Sequence, residues 1–197
     1  DGKLVYLAAT RANAIWRYAP GFARAEGSAA PRAIRRWEGN GGMEALARLR
    51  DGRFVAIAER SRWPGKARVP GTLAALVFAG DPVAAPDRGF GFSYRPAPGH
   101  SVSDMALMPN GDLLVLERRW LLPLRFRSRL ALVRAAALKP GAVVTGRELG
   151  RVTPPWPTEN YEGVAVTREG KALIVWLVSD NDQYRWRPSY LLKLRLK

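Results

Sequence analysis

Val102-Ser103-Asp104-Met105-Ala106-Leu107-Met108-Pro109-Asn110-Gly111-Asp112-Leu113-Leu114-Val115-Leu116-Glu117-Arg118 reads as strand, turn and second strand, with an acidic residue near each open end. Asn-Gly between two apolar runs is a strong short-range hairpin signal, because the turn needs positive φ and these residues tolerate it. The pattern occurs twice more. Gly42 to Arg60 carries Glu44, the turn Asp51-Gly52 and the closing pair Glu59-Arg60. Tyr161 to Asp180 carries Glu162, the turn Glu169-Gly170 and the closing Ser179-Asp180. The opening carboxylates at 44, 104 and 162 are spaced 60 and 58 residues apart.

The intervals between hairpins repeat as well. Strand-like runs recur at Ala14–Tyr18, Leu73–Phe78, Leu130–Arg134 and Tyr190–Leu196, and weaker ones at Ala33–Trp37, Phe90–Tyr94 and Arg147–Val152. In the last main run Tyr190, Leu192, Leu194 and Leu196 alternate with Lys193 and Arg195, the period of a half-buried strand. Four strands per unit is the make-up of a β-propeller blade, although the period exceeds the roughly 40–50 residues of common propeller repeats. The expected fold is therefore all-β, a propeller of four-stranded blades. A single domain would hold blade repeats near 1–40, 41–97, 98–156 and 157–197. A β-sandwich is the structural alternative.

Asp1-Gly2-Lys3-Leu4-Val5-Tyr6-Leu7-Ala8 matches Asp51-Gly52-Arg53-Phe54-Val55-Ala56-Ile57-Ala58. The chain is thus expected to begin at the turn inside a blade, giving about three and a half blades of an N-terminally truncated propeller. Its edge strands would then invite pairing. Helical folds fit poorly with fifteen prolines and nineteen glycines; only Arg134–Lys139 allows a brief helical turn.

Composition bounds the chemistry. With no cysteine, the chain has no disulfide, thiolate metal site or cysteine nucleophile. It has no run of about 18 apolar residues, and its first residues lack the layout of a signal peptide. The formal charge of +15 favours anionic partners. Almost all of it is arginine in an alanine-rich chain, which a GC-rich genome produces without any binding role.

Several stretches resemble the bacterial "esterase-like activity of phytase" family. They are His100-Ser101-Val102-Ser103-Asp104-Met105, Leu114-Val115-Leu116-Glu117-Arg118-Arg119-Trp120, Arg127-Ser128-Arg129-Leu130, Glu159-Asn160-Tyr161-Glu162-Gly163-Val164-Ala165 and Trp176-Leu177-Val178-Ser179-Asp180-Asn181-Asp182, with a closing Leu191-Leu192-Lys193-Leu194. The resemblance runs from about Gly41 to Lys197. It implies a propeller-like fold, a periplasmic or secreted bacterial protein, and hydrolysis of phosphoesters or esters. Fold alone does not dictate chemistry, and the resemblance assigns no catalytic residue.

The hairpins make a geometric expectation. In each, the opening and closing carboxylates return to one end, so Glu44 with Glu59, Asp104 with Glu117, and Glu162 with Asp180 would gather at a channel mouth. Six carboxylates are hard oxygen ligands suited to Ca²⁺ or another divalent cation. A cation there, with arginines holding phosphate oxygens, suits phosphoester hydrolysis. On this reading Glu44, Asp104 and Glu162 are catalytic. Arg60, Arg118, Arg119, Tyr161 and His100 contact a small phosphorylated substrate. Asn160, Asn181 and Asp182 add oxygens.

The competing reading is structural: acidic residues at strand ends pair with neighbouring arginines, as in Glu59-Arg60 and Glu117-Arg118. His100, the single histidine, lacks the spacing of a Ser/His/Asp triad. The run Arg118–Arg129 mixes arginine with aromatics, a nucleic-acid or membrane pattern, but reads better as an insertion loop packed on its blade. Gly39-Asn40-Gly41-Gly42 lacks the following Lys-Ser/Thr of a nucleotide loop. No organic cofactor, nucleic acid or membrane span is expected. The alternative to a metal-assisted hydrolase is a non-catalytic propeller that binds an anionic ligand or a partner protein.

Overall fold

The computed structural model describes residues 4–9, 12–39, 41–121 and 125–196. Asp1-Gly2-Lys3 of the proposed opening turn, Asn40, Leu122-Pro123-Leu124 and Lys197 lie outside them. Among the described residues the protein is all-β, with four sheets, none closed, and short 3-10 turns such as Ala135–Ala137. No helix is long and apolar enough to cross a membrane.

Residues cluster into two compact units. The first comprises Asp1–Arg95 with Leu138–Val144, and the second Pro96–Ala137 with Thr145–Lys197. In the first unit, β1 (Val5–Ala9), β2 (Ala14–Tyr18) and β3 (Ala25–Ala29) form one antiparallel sheet. The next sheet holds β4 (Met43–Arg48), β5 (Phe54–Ala58), β6 (Leu73–Phe78) and β7 (Gly89–Arg95), with the short β11 (Val143–Thr145) against β7. Ile15, Ile34, Trp37, Met43, Phe54 and Phe78 form its core.

In the second unit, β8 (Ser101–Leu107), β9 (Leu113–Leu121), β10 (Arg125–Val133) and β12 (Arg147–Val152) form one sheet. The other holds β13 (Asn160–Glu169), β14 (Ala172–Asp180) and β15 (Leu191–Leu196). Leu114, Leu116, Tyr161, Val175 and Leu177 lie in the core of this unit.

The strands follow from sequence pattern. β4 alternates buried and less buried residues, whereas β5 and β6 are buried throughout, as their continuous apolar runs imply for strands covered on both faces. The first two hairpin turns use a three-residue loop. The amide of Gly52 donates to Leu49 O at 3.1 Å and that of Gly111 to Met108 O at 2.9 Å. Only the glycines take positive φ, 89° and 94°. The Asp51 and Asn110 side chains accept the amides of Arg53 and Asp112, both at 3.1 Å. Such a loop is a type I turn followed by one left-handed residue, and glycine takes that last place without strain.

The structure corrects the repeat. In β4–β5, β8–β9 and β13–β14 the register shifts once, leaving Glu44, Ser103 and Glu162 as the extra, bulged residues. These lie 59 residues apart, as do Gly52, Gly111 and Gly170. Asp104 is therefore not the counterpart of Glu44 and Glu162 but one residue beyond it. A carboxylate-to-carboxylate alignment cannot see a bulge.

Two other expectations change. Ala33–Trp37 is no strand: a 3-10 turn covers Arg32–Ile34, and the strand pairing with β2 is Ala25–Ala29. Ile34 and Trp37 are apolar because they plug the core, not because they alternate. The segment Arg118–Arg129 is not an insertion loop. Its arms extend β9 and β10, pairing Arg118 with Ser128 and Trp120 with Phe126.

Candidate functional site

Glu162 sits at the bulge of β13, and β14 ends at Asp180, which pairs with Asn160. A bulge re-aims the side chain it carries, which is why bulges gather at functional edges. Beyond Asp180 the chain enters a loop in which Asp182 and Gln183 take φ of 53° and 64°. Left-handed backbone is uncommon outside glycine, asparagine and aspartate, so Gln183 carries the greater cost. Here side chains hold them: the Asp182 amide donates to Asp180 Oδ1 at 3.1 Å and the Gln183 amide to Asn181 Oδ1 at 3.0 Å. The result brings carboxylate oxygens of Glu162, Asp180 and Asp182 within 4.8 Å of one another, all three residues exposed.

Two arginines brace this cluster. Arg118 Nη1 donates to Glu162 Oε1 at 2.5 Å and also to Asn160 Oδ1. Buried Arg187 donates through Nη2 to Glu159 at 2.6 Å and through Nη1 to Asp182. Those hydrogen bonds, Glu159 first, hold the Arg187 pKa above its usual value. Asn160, itself buried, donates to Glu162 Oε1 at 3.0 Å and Asp182 Oδ1 at 2.8 Å. Both guanidinium carbons lie near the Phe126 ring centroid, at 5.8 Å for Arg118 and 5.4 Å for Arg187. Four carboxylates against two guanidinium groups leave the cluster net negative, and Glu162 Oε2 and Asp180 Oδ2 accept no hydrogen bond among the described residues. A hard divalent cation suits this donor set.

Phe126 also lines a cleft of about 580 Å³ in the same unit, together with His100, Arg119, Arg125, Arg127 and Arg151. Arg119, Arg125 and Arg127 have no ion-pair partner among the described residues. Arg119 lies against Gly99, where a Cβ would come within 3.2 Å of its Nε. Clustered guanidinium groups on a low-dielectric wall concentrate anions, and each can grip a phosphate with two parallel bonds. Arg151 is engaged by Glu148 at 2.8 Å, and that bond lowers the Glu148 pKa.

Glu117, Asp104, Tyr161 and Glu59 are bonded to protein groups of their own units. Glu117 is 0% exposed; its Oε2 accepts Arg129 Nη1 at 2.5 Å and the Ala97 amide at 3.0 Å. Its arginine partner is thus across the hairpin, in register, rather than the adjacent Arg118. Arg129 continues to Glu148 at 2.8 Å and to Gly146 O at 3.1 Å. Asp104 spans the two sheets of its unit: Oδ1 accepts the Met105 amide and Oδ2 the Val164 amide of β13, both at 2.8 Å. Burial pushes its pKa up to about 6 despite those amides.

Tyr161, expected at a substrate, is fully buried instead. Its hydroxyl donates to Pro157 O at 2.9 Å, and burial raises its pKa to about 12. Its aromatic ring made it a core residue of β13. In the first unit, Glu44 is the half-buried bulge residue of β4, and buried Glu59 pairs with Arg60 at 3.2 Å.

Residues that sequence reasoning missed are Arg187, Glu159, Phe126, Arg125 and Arg127. Glu159 and Arg187 lie 28 residues apart, and no local pattern joins them.

A family model described as "Phytase-like: Esterase-like activity of phytase" matches residues 1–183. No curated protein matches the chain. Among solved structures, a protein of unknown function from Bacteroides caccae is similar over the whole of this chain, with a TM-score of 0.46 and 11% identity. The chain spans 59% of that protein's length.

Proposed function

The chain belongs to the phytase-like family, and from that premise we propose that it is a metal-assisted hydrolase of phosphoesters or esters. Glu162, Asp180 and Asp182 hold a divalent cation, with calcium the first choice. The arginine cleft at His100 and Arg119 receives the anionic group of a small substrate. The observation that carries this reading is one unit with both elements: exposed carboxylates within 4.8 Å of each other and a cleft lined by four exposed arginines. The cation supplies charge for the developing negative oxygens. The protein's own residues hold and orient the anion.

The same reading takes the four sheets as blades of one propeller domain, with repeats near 1–40, 41–97, 98–156 and 157–197, in an exported protein. Half-buried Asp104 and buried Glu117, both hydrogen-bonded to protein groups, serve as framework in this scheme. The second reading, a non-catalytic module binding anions, draws on the cleft alone.

Hydrolysis of an aryl phosphate and the matching aryl acetate, with and without chelator, separates the two. Turnover that chelator removes and Glu162→Gln abolishes supports the enzyme. Anion binding without turnover of either ester favours the binding module.

A further inference from the structure

The first unit contains a pocket of about 600 Å³, the size of a small-molecule site. Its floor is apolar, with Trp63, Leu76, Phe78 and Phe90. The indole of Trp63 is locked in place. Its Nε1–H donates to Phe92 O at 2.6 Å, and its ring meets Trp37 edge-on with centroids 6.2 Å apart. It lies on Gly91, where a Cβ would come within 2.9 Å of Trp63 Cζ2. Any larger residue at position 91 would push the ring away from β7.

The rim is cationic. Lys66 and Arg88 are exposed and have no ion-pair partner among the described residues. Arg32 is answered by Asp87 at 3.3 Å, so the rim's one carboxylate is already committed. A peptide strand cannot add here, because both edges of β7 are taken. β6 pairs along one edge, while on the other the Gly141 amide donates to Gly91 O at 2.9 Å and the Ser93 amide to Ala142 O at 2.8 Å. What fits is small, with an apolar face for the indole and one acidic group for Lys66 and Arg88.

We propose that this pocket is a binding site for a small amphipathic organic anion, an aromatic or alicyclic body bearing one carboxylate, sulfonate or phosphate. It is independent of the hydrolase reading, which rests on residues of the other unit. Cations beside an apolar wall reward a charge that the ligand keeps at its rim.

The test uses the full chain and 8-anilinonaphthalene-1-sulfonate, read by fluorescence titration against its uncharged relative N-phenyl-1-naphthylamine. One saturable site is expected for the sulfonate, with binding at least about fivefold tighter than the uncharged probe. Lys66→Glu with Arg88→Glu weakens the sulfonate by about tenfold or more and leaves the neutral probe within about twofold. Ala67→Trp, a change at an exposed lining position, blocks both probes. Circular dichroism melts check that each variant folds. Absence of saturable binding would overturn the proposal. So would sulfonate affinity indifferent to both variants, or equal affinity for the two probes.

Discussion

The guanidinium group of Arg118 lies 2.5 Å from Glu162 Oε1, although the two residues are 44 positions apart on strands of different sheets. A permanent cation therefore already sits on one oxygen of the proposed metal cluster. A divalent ion binding there competes with its charge. Arg118→Gln is expected to tighten calcium binding several-fold while keeping a hydrogen-bond donor in place. Isothermal titration calorimetry at fixed ionic strength measures it. Weaker binding in the variant would mean that Arg118 positions the cluster rather than opposing the ion.

The arginine cleft makes a charge prediction. Arg119→Glu and Arg127→Glu should each raise the dissociation constant of an aryl phosphate by about tenfold or more, with a steep salt dependence in the parent protein. Arg68→Glu, an exposed change in the first unit, is the control and should leave it unchanged. Equal effects from all three would reduce the cleft to net charge.

Asp104 sets a pH dependence. Burial holds its pKa up at about 6 in the folded protein, above the roughly 3.9 of an exposed aspartate. The folded state thus holds the proton more tightly than the unfolded chain. The stabilisation this gives is complete below about pH 4 and is lost as pH rises through 6, by on the order of 3 kcal/mol. Urea melts between pH 4 and 7 should show that slope in the parent protein, and Asp104→Asn should flatten it.

The buried pair Glu117–Arg129 predicts asymmetric mutational costs. Glu117→Ala leaves Arg129 buried without its closest carboxylate and should cost about 3–5 kcal/mol. Replacing both by leucine should recover most of that loss, because the desolvation of two charges disappears with them. Chemical denaturation of the two variants makes the comparison.

Much of this fold was legible in the chain. The bounds read for β2 and β6 are those observed, and the Asp-Gly and Asn-Gly pairs sit at the hairpin turns. What stayed hidden has physical causes. A β-bulge inserts one residue without any compositional mark, so the carboxylate spacing aligns Asp104 with Glu162 although Ser103 occupies that place. Apolar spacing at Ala33–Trp37 satisfied a strand template while the residues plug a core from a 3-10 turn. At the site, Glu162 with Asp180 followed from hairpin geometry, whereas Arg187 and Phe126 reach it through tertiary packing.

Calcium titration by calorimetry of the intact chain and of Glu162→Gln tests the central claim most directly. The account predicts a bound cation in the parent protein and an affinity lower by about tenfold or more in the variant. A parent protein that takes up no calcium at millimolar concentration, or a variant that binds it as well, would contradict the metal cluster and the hydrolase built on it.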